Sequence, residues 1–134
     1  LSIHYGHFLS NVKRLPLANP TQNSPRTVEV LCTDEKGSDV NLATYLIFDG
    51  FAKDYDIAVV ISNDSDLALP IRLVREKLGF PVGIINPHSP EKRSKELFKI
   101  ASFYKQIRKG PLSASQFPPV LKDARGNIVK PTAW

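Results

Sequence analysis

Asp64 and Asp66 stand one residue apart in "AVVISNDSDLALPI", residues 58–71, directly after the apolar run of residues 57–61. Side chains two positions apart in an extended or turning segment can point the same way. Carboxylates held that close repel one another unless a proton or a cation lies between them. A hard divalent cation such as Mg²⁺ or Mn²⁺, bound through oxygen and keeping some of its waters, relieves the repulsion. The plainer chemistry is helix capping, for which Asp after a strand is well suited. One cap needs one carboxylate, however, and this run supplies two. A third, Asp39, opens the pattern "EKGSDVNLA" beside Lys36 and Gly37. Taken alone, Asp39 reads as a solvated first-turn residue.

The elements that must position these residues alternate along the chain. "SIHYGHFL" and "TVEVLCT" read as strands joined through the Pro-rich loop "RLPLANPTQNSPRT". "SDVNLATYLIFDGFAKD" is helical, with Val40, Ala43, Ile47 and Phe51 on one face and Ser38 as N-cap. "DIAVVIS" lacks polar alternation, which predicts a strand buried on both faces of a parallel sheet. "SDLALPIRLVREKLG" is an amphipathic helix that tolerates Pro70 in its first turns and closes at Gly79. "PVGIINP" is another buried strand, and "SPEKRSKELFKIASFY" a further helix. In the tail, "DARGN" suits a hairpin turn. Strand–helix alternation over residues 38–104 predicts βαβ crossovers and a parallel sheet, in which sites form beyond the carboxyl ends of the strands. Whether Asp39 joins Asp64 and Asp66 there depends on how "VEVLCT" enters the sheet.

At 134 residues, the length suits one domain, and 42% hydrophobic with 23% charged residues is ordinary for a globular chain. The net charge of +5 is compatible with a polyanionic partner. Lys92, Arg93, Lys95, Lys99, Lys105, Arg108 and Lys109 crowd a stretch whose only acids are Glu91 and Glu96. Phosphate contact needs little more than such positive potential. The aromatics among them, Phe98, Phe103 and Tyr104, read as core. His88 follows a strand end and could face the site. His4 and His7, three apart on a strand, would point to opposite faces and share no metal. Cys32 is the single cysteine, which excludes an internal disulfide and suits a reducing, cytoplasmic setting. No apolar run is long enough to span a bilayer. No phosphate-cradling G-x-x-x-x-G-K-[ST] and no G-x-S-x-G nucleophile elbow is present. "DSDLA" is similar to the D-x-D motif of haloacid dehalogenase-like phosphatases, with Ala68 where that family has Thr or Val.

The stretch "EKGSDVNLATYLIFDGFAKDYDIAVVISNDSDLALPIRLVRE", extended to Asn86 and Pro87, resembles the NYN-domain family of PIN-like ribonucleases. Its specific parts are "KGSDV" and "SNDSD". The resemblance implies a Rossmann-like three-layer α/β/α fold with a mostly parallel sheet, here preceded by a β-hairpin and followed by an irregular tail. It implies Mg²⁺- or Mn²⁺-dependent hydrolysis of single-stranded RNA, with Asp39, Asp64 and Asp66 as catalytic metal ligands. Ser62, Asn63, Ser65 and Lys36 would steady them, and Lys92, Arg93, Lys95, Lys99 and His88 would hold the RNA. The family's first strand, with its own acid followed by Asn, has no counterpart. Asp49 in "LIFDGF" lies in a helical pattern, on a solvated face. Residues 1–109 are therefore expected to be an NYN domain lacking its first strand, and 110–134 a Pro/Gly-rich tail. Together with an initial Leu, this suggests a piece of a longer product. Such a piece would leave one edge of "DIAVVIS" open, self-associate and show little activity alone. The alternative is a catalytically silent RNA-binding or assembly module of the same fold.

Overall fold

The computed structural model describes residues 1–132; the last two residues of the expected tail lie outside them. Strand β1 (His7–Pro16) pairs antiparallel with β2 (Thr27–Lys36) over ten residues on each side, from His7 opposite Lys36 to Pro16 opposite Thr27. The hairpin was expected, but β1 begins later than "SIHYGHFL" and runs into the segment read as loop. Residues 1–6 instead lie near helix α1 (Ser38–Ala52), where His4 stacks on Tyr45 with ring centroids 3.6 Å apart. β2 pairs with β1 and does not enter the parallel sheet.

That sheet is formed by β3 (Ala58–Ile61), β4 (Val82–Asn86) and β5 (Phe103–Gln106), in that order and all parallel. Between β3 and β4 the chain makes a 3₁₀ turn (Ser65–Leu67), helix α2 (Ala68–Leu73) and a π turn (Val74–Leu78). Gly79 stops it with φ +77°, a left-handed conformation that costs glycine little. Between β4 and β5 lie a 3₁₀ turn (Pro90–Lys92) and helix α3 (Lys95–Ile100). The expected single helix over "SPEKRSKELFKIASFY" is thus divided, and its last residues form β5. Once Ala101 turns extended, Tyr104 can reach the core from a strand. Helix α4 (Lys109–Ala114) and a hairpin of β6 (Val120–Asp123) and β7 (Gly126–Val129) complete the chain.

One apolar cluster joins Leu46 of α1, Val60, Val82 and Ile84 of the sheet, Leu67, Ile71 and Val74, and Leu97 of α3. On α1 the buried face is Leu46 and Gly50, with Ala43 and Ile47 beside it. Val40 and Phe51, expected inside, are exposed, because the buried stripe centres on Leu46 and Gly50 and leaves Ala43 and Ile47 at its margin. The sheet also departs from expectation. Ala58 and Val60 are buried, but Val59 is 50% and Ile61 61% exposed. An unbroken apolar run shows that both faces of a strand are apolar, not that both are covered. The described chain is a mixed α/β structure with a three-stranded parallel sheet, and the expected third layer does not form over Val59 and Ile61. Among the described residues, no helix is long and apolar enough to cross a membrane.

Tyr55 fastens the C-terminal half of α1. Its hydroxyl donates to the Leu46 carbonyl at 2.5 Å, and its ring meets Phe80 edge-on at 5.6 Å. Burial, and secondarily the charge of Asp49, raises the phenol above its ordinary value of 10.0. Above about pH 10 the unfolded chain therefore loses this proton before the folded one does. Stability contributed by Tyr55 is complete below that pH and is lost as pH rises through the raised folded value. Tyr55→Phe should cost about 1 kcal/mol at neutral pH and flatten the alkaline decline. Denaturant unfolding at neutral and alkaline pH checks both expectations.

Candidate functional site

The end of β3 hands over to α2 through Ser62–Asp66, and this loop is laced by its own side chains. The Asp64 amide donates to Ser62 Oγ (3.0 Å), and the Asp66 amide donates to Asp64 Oδ1 (2.9 Å). Asp64 thereby caps the 3₁₀ turn, as the plainer reading of its sequence allowed. Asp64, Ser65 and Asp66 are exposed, whereas the next residue, Leu67, is 1% exposed. The acids thus sit at the boundary where the chain dives back into the core.

Helix α1 packs on α2 and its flanking turns, with Gly50 near its end set against Leu78 just ahead of β4, and returns to β3 through only a few residues, so its start points toward the end of the sheet where β3 finishes. The contact of α1 with the 3₁₀ turn Ser65–Leu67 follows from this arrangement. Asp39, in the first turn of α1, lies at that end. The start of α1 is set by a residue that sequence reasoning overlooked. Gly37, with φ +99°, occupies the expected place of Ser38 as N-cap, and Glu35 serves the helix from outside. Its carboxylate accepts from the Ser38 amide (3.1 Å) and the Ser38 hydroxyl (2.7 Å). The signal was a Glu three residues ahead of the helical Ser. Lys36, between them, is exposed at the end of β2.

Asn63 does not touch the carboxylates. Its Nδ2 donates to the Lys92 carbonyl and its Oδ1 accepts from the Ser94 amide, both at 2.7 Å. The acid loop is therefore clasped to the loop that follows β4. A second amide pair braces that loop at its root. Asn86, fully buried, donates to Gln106 Oε1 (2.9 Å) and accepts from the His88 amide (2.9 Å). Gln106 in turn donates to the Asn86 carbonyl (3.0 Å) and to that of His88. The His88 backbone is held while its residue is exposed. Lys92, Arg93, Lys95 and Lys99 are all exposed on this loop and on α3. Phe98 and Phe103, read from sequence as core, are 45% and 39% exposed.

Among the described residues, no three His, Cys, Asp or Glu side chains gather closely enough to hold a metal ion between them. Asp39 shares an end of the sheet with Asp64 and Asp66 without closing a three-carboxylate set. The donors still suit a hard cation in kind. Mg²⁺ commonly takes one or two protein carboxylates and fills its remaining positions with water and substrate phosphate.

Fold and site together define an α/β domain with an acidic strand-end loop clasped to a cationic one. Comparison with known proteins gives the family. The NYN domain model matches residues 9–107, and the chain belongs to the NYN-domain family. An NYN domain is a nuclease-like, PIN-like domain. The chain is 30% identical over 137 aligned residues to the 6-hydroxy-3-succinoylpyridine 3-monooxygenase HspA of Pseudomonas putida (strain DSM 28022 / S16). That alignment covers 96% of this chain and 44% of that protein, so the chain spans less than half of the relative's length. Among solved structures, a protein of unknown function from Vibrio parahaemolyticus RIMD 2210633 is similar with a TM-score of 0.49 and 18% identity. It covers 71% of this chain and 51% of the other.

The capping bond separates two roles of Asp64. Asp64→Asn keeps the Oδ1 acceptor and should change stability by less than about 0.5 kcal/mol, whereas Asp64→Ala should cost about 1 kcal/mol. Any rise in melting temperature produced by Mg²⁺ or Mn²⁺ should shrink in both variants, since both lose the charge. Calorimetry with and without the ion separates the two effects.

Proposed function

We propose that this domain is the core of a metal-dependent endoribonuclease acting on single-stranded RNA. The observation that carries this reading is the pair Asp64 and Asp66 at the carboxyl edge of a parallel sheet in an NYN domain. NYN and PIN-like nucleases typically use divalent metals. Asp39, Asp64 and Asp66 would hold Mg²⁺ or Mn²⁺, which when bound supplies an acidified water and charge stabilisation at phosphate. The chain's own contribution is positional. Ser62 Oγ and Asp64 Oδ1 fix the backbone of the acid loop, and Glu35 fixes the start of the helix that bears Asp39. Lys92, Arg93 and Lys95 supply positive potential along which the RNA backbone would run. Ser65, Lys36 and His88 are neighbours in this reading and are assigned no step. The NYN match favours this chemistry over a D-x-D phosphatase. A silent RNA-binding module of the same fold would keep the cations and lack the turnover.

The HspA relative supports a second reading, hydroxylation of a hydroxypyridine-type ring within the same fold. Such a reaction consumes O₂ and two electrons from a reductant, so the two readings part experimentally. The protein should cleave single-stranded RNA with Mg²⁺ or Mn²⁺, lose this in EDTA and regain it with excess ion. Asp39→Asn, Asp64→Asn and Asp66→Asn should each lower the rate by about a hundredfold or more. Cleavage unchanged in chelator would remove the metal mechanism. Hydroxypyridine-dependent O₂ uptake without RNA cleavage would replace it with the second reading.

A further inference from the structure

Asn63 clasps the backbone on both sides of one residue, Arg93. It takes the carbonyl of Lys92 before it and the amide of Ser94 after it. The Arg93 amide donates to the Pro90 carbonyl at 3.3 Å, closing the 3₁₀ turn beneath it. The Arg93 backbone is therefore fixed relative to Asp64, the neighbour of Asn63. Its side chain is arranged as well. The guanidinium carbon lies 4.3 Å from the centroid of the Phe98 ring. Phe98 is in turn set edge-on against Tyr104, with centroids 5.2 Å apart. Arg93 is exposed, and Phe98 is 45% exposed. A large aromatic ring left half in water on a short helix contributes little to the core, and with a guanidinium over its face it offers a preassembled aromatic–arginine pair to a ligand.

We propose that Arg93 and Phe98 form a stacking platform for an unpaired nucleobase of RNA, one that seats a nucleotide beside the acid loop. The proposal rests on RNA being the substrate class, as the preceding reading has it. Bases in a duplex have both faces occupied by their neighbours, whereas an unpaired base can stack on an aromatic ring or an arginine plane. The platform accounts for single-strand preference by contact with the base, where Lys92 and Lys95 contribute only sequence-independent attraction to phosphate. Asn63 makes the distance between platform and carboxylates a property of the fold, so it is a positioning residue for the seated strand.

The test measures binding in EDTA, where no metal-dependent cleavage interferes. The probes are a short single-stranded RNA, an abasic strand of the same length and a blunt RNA duplex. The wild-type protein should bind the base-bearing strand about tenfold more tightly than the abasic strand. Arg93→Lys, which keeps the charge and loses the plane, should erase most of that preference. Because the charge is kept, it should lower affinity for the base-bearing strand several-fold more than for the abasic strand. Phe98→Leu, with an unchanged circular-dichroism spectrum, should do the same. The proposal is overturned if wild type shows no base preference or binds no RNA, or if both variants retain the preference. It is equally overturned if they weaken both strands alike. The failure of the nuclease reading looks different: base preference lost in both variants, with no chelator-sensitive cleavage by wild type, leaves the platform standing and removes the hydrolase.

Discussion

Both loops of the site depend on the place where α2 is pressed between the sheet and its neighbouring helices. Ile71, Val74, Val82, Ile84 and Leu97 are wholly withdrawn from water there, and they come from α2, the π turn, β4 and α3. Burying one such side chain stabilises by roughly 1.5–3 kcal/mol, and none of the five can shift without opening a void against the others. The acid loop is the approach to this knot from β3, and the cationic loop is the approach from β4. Close packing thus brings the two loops to neighbouring places, and Asn63 locks their spacing at residues 92 and 94.

The sequence revealed this arrangement unevenly. The places of Asp64, Asp66 and Asp39 in the fold were readable because they lie next to strand and helix boundaries that apolar runs mark well. Parallel pairing of β3 and β4 was readable from strand–helix alternation, but β5 was not, because Phe103 and Tyr104 continue the helical pattern that precedes them. Coverage was not readable either. Val59 and Ile61 have the composition of buried residues, and nothing in a one-dimensional pattern says whether a layer lies over them. The face of α1 was misjudged for a related reason. Val40, Phe48 and Phe51 are as apolar as Leu46 and Ile47, so the helix offers apolar residues around most of its circumference, and only the packed neighbours select the inner stripe.

Polar partners were harder still to read. Asn63 looked like a support for the adjacent carboxylates, but its amide reaches residues 92 and 94, about thirty positions away, a contact that local spacing cannot encode. Arg93 and Phe98 are five apart, and in a continuous helix they would not face one another. They meet because the helix begins only at Lys95, after an extended Ser94 that caps it. The divided helix, which looked like a failure of the periodic pattern, is the condition for that contact.

The β1–β2 ribbon has a mechanical consequence. Ten paired residues extend about 34 Å, and the ribbon's final strand runs into α1 through Gly37 alone. Glu35 straddles that joint, belonging to β2 while holding the first amide of the helix. The two hydrogen bonds of Glu35 close the corner between ribbon and helix, so the direction of β2 and the first turn of α1, which carries Asp39, are tied together across a single glycine.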